Sequence, residues 1–403
     1  MDKPVKTAEA ATENVVVKPT KASASGEGTL FKTPLSLRVT TWIIIGVWTV
    51  IAIFPLLWLL VMSFKLPLDA FNANPFAVIF GPNTRSSVGG VSILGTTLFL
   101  AAAYALLSVF AARDAWLARL GSTETNTKTW VVVGFYVGFL LVGALTFVFL
   151  VPWVSSFFTF ALGGIPVLSA LVNPVLGLTT QHYETVWVQN GFYQQFINTL
   201  IVTVGVVTIS LTIGTLAAYG LARTRTAWAF WILIAALVFR ALPHSVLVTG
   251  YLPPFIEWGL YGKRISVIIV LVAINQPFTI WMLRSFFMNI PTALDEAALV
   301  DGCNRLQAFW NVIMPVMWPG VITTGLFSFM LAYNDYLVSA LLLDGETRTM
   351  VPAILSYFNR ETTLTDQLEA IAAAASITFP LFLLVLFFQK QIVSGLTQGA
   401  VKG

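Results

Sequence analysis

Charged residues are scarce in this sequence, and their scarcity excludes a water-soluble globule. Asp, Glu, Lys and Arg make up 10% of the 403 residues, whereas hydrophobic residues make up 57%. Soluble domains average about 25% charged residues. The mean hydropathy is +0.83. Most of the chain therefore belongs in lipid, where the backbone must satisfy its own hydrogen bonds, so we expect spanning helices of about 20 residues.

Cysteine and histidine are also rare. Cys303 is the single cysteine, which excludes an internal disulfide and a metal site built from several thiolates. The two histidines, His182 and His244, leave little for metal chemistry. We therefore expect no metal, no other cofactor and no nucleic-acid partner.

The start of the chain lacks an apolar run. Its first 30 residues are rich in Lys, Thr, Ala and Glu, a composition that cannot bury a core and does not match a signal peptide. We expect residues 1–39 to form a disordered cytoplasmic tail.

Apolar segments then recur along the chain and predict an all-α polytopic membrane protein of about eight transmembrane helices. A further stretch, 157–178, is interrupted by glycine and proline and is predicted to be interfacial or re-entrant. The eight predicted spans are 40–62, 93–112, 130–153, 198–221, 228–248, 265–283, 315–343 and 371–388.

Lysine and arginine predict the orientation, because they concentrate in cytoplasmic loops. With eight spans both termini lie on one side. Placing them inside puts Arg113, Arg119 and Lys128 in one inner loop and Arg223 with Arg225 in another. We therefore expect both termini, and the segment after the sixth span, to be cytoplasmic in a bacterial inner membrane.

That segment, 291–315, is polar and lies between two apolar spans. Thr292 is predicted to cap a helix whose first turn carries Asp295 and Glu296, where acids complement the helix dipole. Gly302 permits a sharp turn. A second helix then places Leu306, Phe309, Trp310 and Ile313 on one apolar stripe. The pattern predicts a helix–turn–helix, and an ordinary amphipathic linker on the membrane surface is the alternative function.

The spacing within this segment resembles a known motif. Glu296-Ala297-Ala298, Gly302 after three residues, and Val312-Ile313-Met314-Pro315 after nine more resemble the EAA loop of ABC importer permeases, EAA-x3-G-x9-I-x-L-P. Val312 and Met314 replace the family's Ile and Leu.

More of the chain supports the resemblance. "FINTLIVTVGVVTISLTIGTLAAYGLAR" resembles the helix that opens the permease core, and "QPFTIWMLRSFFMNIPTALDEAALVDG", "AYNDYL" and "GLTQGAVKG" resemble the maltose-type carbohydrate subfamily. The likeness covers 40–62, as a first core helix, and 181–403. Residues 81–178 do not fit the six-helix core of such type I importers and are expected to be two inserted helices with an outer loop. Gly134 and Gly138, in G-x-x-x-G spacing, predict close packing on 93–112 or on a companion chain.

The resemblance implies a mechanism without catalysis by this chain. The EAA loop of such importers sits in a groove on a separate ATPase subunit. This sequence has no G-x-x-x-x-G-K-[ST] motif, so the ATPase dimer must be a partner. A second permease subunit and an extracytoplasmic solute-binding protein are further implied partners. The residues implied in coupling are Glu296 as charged contact, Gly302 as hinge, Asp301 and Arg305 as rim contacts, Ala297 and Ala298 as a smooth contact surface, and Pro315 as the start of the next helix.

Polar groups in or near the core spans are candidates for the solute path. A charge at mid-bilayer costs about 2.5–3.5 kcal/mol, so the two charged candidates should face a cavity or a partner; snorkelling at the outer boundary is the alternative. The candidates are Arg240, His244, Asn275, Gln276, Tyr333, Asn334 and Asp335.

The resemblance implies a sugar or polyol as solute, with an α-glucoside favoured and glycerol 3-phosphate as the rival. A secondary transporter would need no ATPase, but it should have broken or charged helices in matched halves, and no convincing inverted repeat is found. A structural membrane subunit would not need the EAA pattern.

Overall fold

The computed structural model describes residues 35–112, 125–224, 227–240, 244–358 and 363–400. Most of the predicted disordered tail, and the predicted inner loop around Arg113 and Arg119, lie outside these ranges. Residues 35–39 belong to the first helix instead of the tail. Contacts divide the chain into two units, 1–56 and 57–403. In the first unit the described residues form one helix, and everything below concerns the second unit unless stated.

The described residues of the first part of the chain form nine helices, α1 to α9, and a two-stranded ribbon. Its elements are α1 Leu35–Ser63, α2 Pro67–Ala70, α3 Pro75–Phe80, α4 Pro82–Ser87, β1 Gly90–Ser92, α5 Ile93–Ala111, α6 Thr125–Leu145, α7 Val151–Leu162, α8 Pro166–Val172, β2 Pro174–Gly177 and α9 Gln181–Glu184.

The described residues in the second part of the chain form helices and the turns that connect them. Its elements are α10 Phe192–Arg223, α11 Ala227–Arg240, α12 His244–Glu257, α13 Arg264–Met288, α14 Ala293–Val300, α15 Arg305–Ala308, α16 Met314–Tyr333, α17 Leu337–Leu342, α18 Met350–Ser356 and α19 Leu364–Ala400. Single π-helical turns lie at Thr146–Leu150, Thr185–Gln189 and Phe309–Ile313, and a 3₁₀ turn lies at Gly345–Thr347.

The all-α polytopic fold is confirmed. Within the described ranges seven helical stretches are long and apolar enough to cross a membrane. They are Ser36–Ser63, Ile93–Ala111, Gly134–Leu162, Phe192–Arg223, Arg264–Met288, Arg305–Tyr333 and Leu364–Gln389.

The predicted span 228–248 is divided between two 14-residue helices, α11 and α12, on either side of undescribed residues 241–243. Fourteen residues rise about 21 Å, less than a hydrocarbon core of about 30 Å. Nevertheless, the chain must cross here. Arg223, ending α10, donates to the Ile290 carbonyl just after α13, and Arg264, starting α13, donates to Asn198 near the start of α10. The two helices therefore run parallel, and α11 with α12 make the return crossing.

The prediction of a separate re-entrant segment at 157–178 is wrong in its first part. Residues 157–162 continue the preceding span as α7, and α8 and β2 follow. Pro152 lies in the first turn of α7, directly after the π-helical turn. Proline lacks a backbone N–H and a π-helical turn changes the hydrogen-bond pattern, and both are irregularities that bend a continuous helix without having to end it.

The last two predicted spans have different ends. The helix expected over 315–343 ends at Tyr333, because Asp335 accepts hydrogen bonds from the Ser339 N–H (2.9 Å) and hydroxyl (2.8 Å) and so starts the separate helix α17. The helix expected over 371–388 is longer, since α19 runs from Leu364 to Ala400.

A short antiparallel ribbon brings the two ends of the predicted insertion together. Gly90 pairs with Gly177, Val91 with Leu176 and Ser92 with Pro174. The segment 93–172 therefore begins and ends at this ribbon, with its two ends next to each other.

The Lys65 side chain connects β2 of this ribbon to α3. Its side chain is fully buried, and Nζ donates to the carbonyl oxygens of Ile79 (2.8 Å) and Gly177 (2.5 Å). His182 Nε2 donates to the Lys65 carbonyl at 3.0 Å. Burial lowers the pKa of the Lys65 ammonium, and Asp69 opposes that shift. Burial likewise lowers the pKa of the His182 imidazole, and the hydrogen bond to the Lys65 carbonyl opposes that shift.

Helices α5 and α6, which are predicted to be inserted, contact α19 through aromatic rings. Phe387 of α19 lies against Tyr136 and Phe110, with ring centroids 4.8 and 5.4 Å apart. By contrast, a Cβ atom built on Gly134 or Gly138 would meet nothing within 4 Å. Packing of this G-x-x-x-G face on α5 is therefore wrong, and packing on a companion chain stays a prediction.

Lys65→Met should lower the thermal stability of the purified protein. Methionine fills similar space but removes the donor from the buried bond to the Gly177 carbonyl and the partly buried bond to the Ile79 carbonyl, which costs about 1–3 kcal/mol. Lys263→Met, at an exposed lysine, is the control. Melting followed by intrinsic fluorescence in detergent measures both, and equal midpoints for the two variants would contradict the assigned role of Lys65.

Candidate functional site

The segment after α13 folds as the predicted helix–turn–helix. Helix α14 is followed by a turn at Gly302, whose φ of +89° suits glycine. Helix α15 and the π-helical turn Phe309–Ile313 then lead directly into α16. We call residues 291–315 the coupling loop, after the role that the resemblance predicts for it, and we call the membrane side on which it lies the loop side.

The capping of these two helices differs from expectation. Thr292 has helical backbone angles and makes no side-chain cap, so that prediction is wrong. The second helix has a full capping box instead: Asn304 Oδ1 accepts from the Gln307 N–H, and Gln307 Oε1 accepts from the Asn304 N–H, both at 2.8 Å. The Asn-x-x-Gln spacing is a signal that could have located this helix start.

Asp295 attaches the loop to the membrane core. Its Oδ2 lies 2.7 Å from Arg223 NH2, with both side chains less than one fifth exposed. Its Oδ1 accepts a hydrogen bond of 2.5 Å from the Tyr219 hydroxyl. Tyr219 and Arg223 are one turn apart at the end of α10, so the carboxylate binds a single face of that helix. The sequence placed Asp295 correctly in the first turn of α14 but did not reveal its partners.

The same guanidinium also reaches the end of α13. Arg223 NH1 donates to the carbonyls of Ile290 (3.1 Å) and Phe287 (3.4 Å). The Ile290 carbonyl lies just beyond the end of α13, and the Phe287 carbonyl also accepts from the Ile290 N–H. Arg223 therefore joins α10, the end of α13 and α14.

The predicted coupling residues lie mostly on the surface. Glu296, Ala297, Asp301, Gly302, Arg305 and Pro315 are exposed, whereas Ala298 is buried. Beside them is a cleft of about 480 Å³, whose lining includes Arg223, Asp295, Glu296, Leu299 and Arg305. The loop thus presents an open cleft whose lining includes both acidic and basic side chains.

The predicted apolar stripe is divided between two faces. Phe309 and Ile313 are buried, but Leu306 and Trp310 are 62% and 54% exposed. Phe309 packs against the Tyr219 ring, with centroids 4.9 Å apart. Because each pair is one turn apart, the two pairs lie on neighbouring faces, and only one of these meets α10.

Several solute-path candidates hold helices together. Asn275 Nδ2 donates to the Ser328 hydroxyl at 2.7 Å between α13 and α16, and the Tyr333 hydroxyl donates to the Ile377 carbonyl at 3.0 Å. Gln276 donates weakly to the Ser210 carbonyl at 3.4 Å. A fourth candidate, Asp335, has the α17 bonds given above.

The other candidates are placed differently. Arg240 lies over the Phe278 ring, 4.7 Å from its centroid, and Asn334 is exposed and donates to its own helix. The side chain of His244 lies outside the described residues. The structure does not bring these candidates into one site, and their part in a solute path stays a prediction.

Comparison with known proteins decides the family. Residues 210–398 match the family "Binding-protein-dependent transport system inner membrane component". The diacetylchitobiose uptake permease DasC of Streptomyces coelicolor is 34% identical over 57% of this chain and 84% of its own length. The chain belongs to this family. The resemblance to importer permeases is thereby confirmed, and the protein is a multi-pass inner-membrane component of a transport system, which is not a class of enzyme.

Two other members give a similar picture. The trehalose transport permease SugB of Mycobacterium tuberculosis is 32% identical over 56% of this chain and 83% of its own length. The ABC transporter permease YcjP of Escherichia coli is 30% identical over 69% of this chain and 99% of its own length. The family match begins within α10 and includes the whole coupling loop.

Proposed function

We propose that this chain is a permease subunit of an ABC importer that moves a sugar or polyol into the bacterial cytoplasm. The observation that carries the proposal is the coupling loop, which exposes Glu296 and Ala297 while Asp295 fixes its first helix from within. A loop held on its inner side and open on its outer side suits a rigid contact with a partner.

The partner proposed for this loop is an ABC ATPase subunit dimer. The cleft contains acidic and basic side chains, Glu296 and Arg305 among them, which would pair with charges on the ATPase. Asp301 and Arg305 would contact its rim, and Pro315 would pass motion into α16. A second permease subunit and an extracytoplasmic binding protein complete the proposed complex, and lipid surrounds its spans.

A carbohydrate is favoured as solute because the named relatives carry diacetylchitobiose and trehalose. An α-glucoside stays our preferred candidate within that class, and these relatives do not favour glycerol 3-phosphate. The part of the polar candidates in contacting that sugar stays a prediction, since several of them bind neighbouring helices.

The proposed orientation has both termini and the coupling loop in the cytoplasm. Seven membrane-length helices and the crossing by α11 with α12 make an even number of spans. Arg223, Arg284 and Arg305 then lie on the inner side, in keeping with the positive-inside rule.

The inserted pair of helices is proposed to be peripheral, with a stabilising or assembly role. Its ends meet at the ribbon, and YcjP, with 99% of its length matched, matches only 69% of this chain. A core of ordinary length therefore needs no counterpart for a large part of this chain.

Reconstitution tests the proposed function. The complex with its ATPase, companion permease and binding protein should hydrolyse ATP faster when loaded binding protein is added, because closure must be triggered from outside. Vesicles lacking this chain are the control. Solute uptake that continues without the ATPase would favour a secondary transporter instead.

Gly302→Val should uncouple the complex while leaving membrane insertion intact. A β-branched residue is strongly disfavoured at a φ of +89°, so the turn must change. Gly250→Val, at a glycine with open space and no positive φ, is the control. Uptake and hydrolysis are measured together, and normal uptake by Gly302→Val would contradict the coupling role of this turn.

A further inference from the structure

The two neighbouring acids of α14 face different ways. Glu296 is exposed, whereas Asp295 is partly buried and bound to Arg223 and Tyr219 of α10. One residue of the pair can therefore contact a partner while the other holds the loop to its own membrane helix.

The attachment at Asp295 is shared by both parallel helices. Arg223 contacts the Asp295 carboxylate at 2.7 Å and the Ile290 carbonyl at 3.1 Å. The Tyr219 ring also packs against Phe287, with centroids 5.5 Å apart. A displacement of α14 must therefore move α10 and α13 with it or break these contacts.

Stability alone is a poor explanation for this arrangement. For a mostly buried ion pair the cost of removing both charges from water offsets much of their attraction, so such a pair is weak evidence for a gain in folding stability. A charged contact that joins three helix ends does, however, fix their relative position and direction, which a mechanical connection requires.

We propose that Asp295, held by Arg223 and Tyr219, is the positioning residue that passes movement of the coupling loop into α10 and α13. This inference rests on the proposed importer function. It assigns coupling inside this chain to Asp295, separately from docking of the partner at Glu296.

The test uses the complete complex in vesicles. Asp295→Asn keeps the shape of the side chain and an acceptor for Tyr219 but removes the ion pair. Asp344→Asn removes a charge from another Asp–Arg pair, exposed and 4.0 Å long, on the chain between α17 and α18. The measured quantities are the co-purified ATPase, hydrolysis stimulated by binding protein, and solute molecules transported per ATP.

We expect Asp295→Asn to retain the ATPase and its stimulated hydrolysis, and to transport at least about fivefold fewer solute molecules per ATP, the lower end of ordinary coupling between sites. Asp295→Glu, which keeps the charge, should recover part of the ratio. Asp344→Asn should keep the wild-type ratio.

Two results would overturn the inference. One is an unchanged ratio in Asp295→Asn with full assembly, and the other is a parallel loss of assembly and both activities at constant ratio, which marks a structural role only. Absence of stimulated hydrolysis in the wild-type complex would instead reject the importer function itself.

Discussion

Close contact between α10, α13 and α16 is the constraint on which the rest of the structure depends. Lipid supplies no hydrophobic drive between helices, so packing and interhelical hydrogen bonds must hold them together. A Cβ atom on Gly320 of α16 would lie 2.7 Å from the Phe286 ring of α13, and Asn275 binds Ser328 between the same helices. Because these helices pack so closely, their ends on the loop side are held in fixed positions relative to one another.

The coupling loop is attached to these helix ends. Arg223, at the end of α10, donates to two carbonyls at the end of α13 and forms an ion pair with Asp295 of α14. Phe309 and Ile313 are buried in an apolar cluster with residues of α10 and α13. The exposed surface around Glu296 is consequently positioned by the ends of the membrane helices. Under the proposed function, these contacts are the route by which a partner in water would act on the membrane helices.

Local patterns predicted much of this arrangement. Long apolar runs located most spans, and Gly302 was predicted as the turn because few other residues adopt its backbone angles. The division of 228–248 into α11 and α12 was missed, since hydropathy does not distinguish one long helix from two short ones. The stripe through Trp310 was assigned to one face because the π-helical turn and the partner helix are invisible in the pattern. Contacts between distant residues, such as Asp295 with Arg223 and Lys65 with Gly177, depend on tertiary packing and could not be predicted from one sequence.

The central claim, a cytoplasmic coupling loop covered by an ATPase, can be measured on the unmodified chain because its single cysteine, Cys303, lies in the turn with intermediate exposure. The measurement is labelling by a membrane-impermeant maleimide in vesicles of known orientation. The account predicts labelling in inside-out vesicles only, slowed when the ATPase is assembled, with detergent-solubilised protein as the positive control. Labelling in right-side-out vesicles would contradict it.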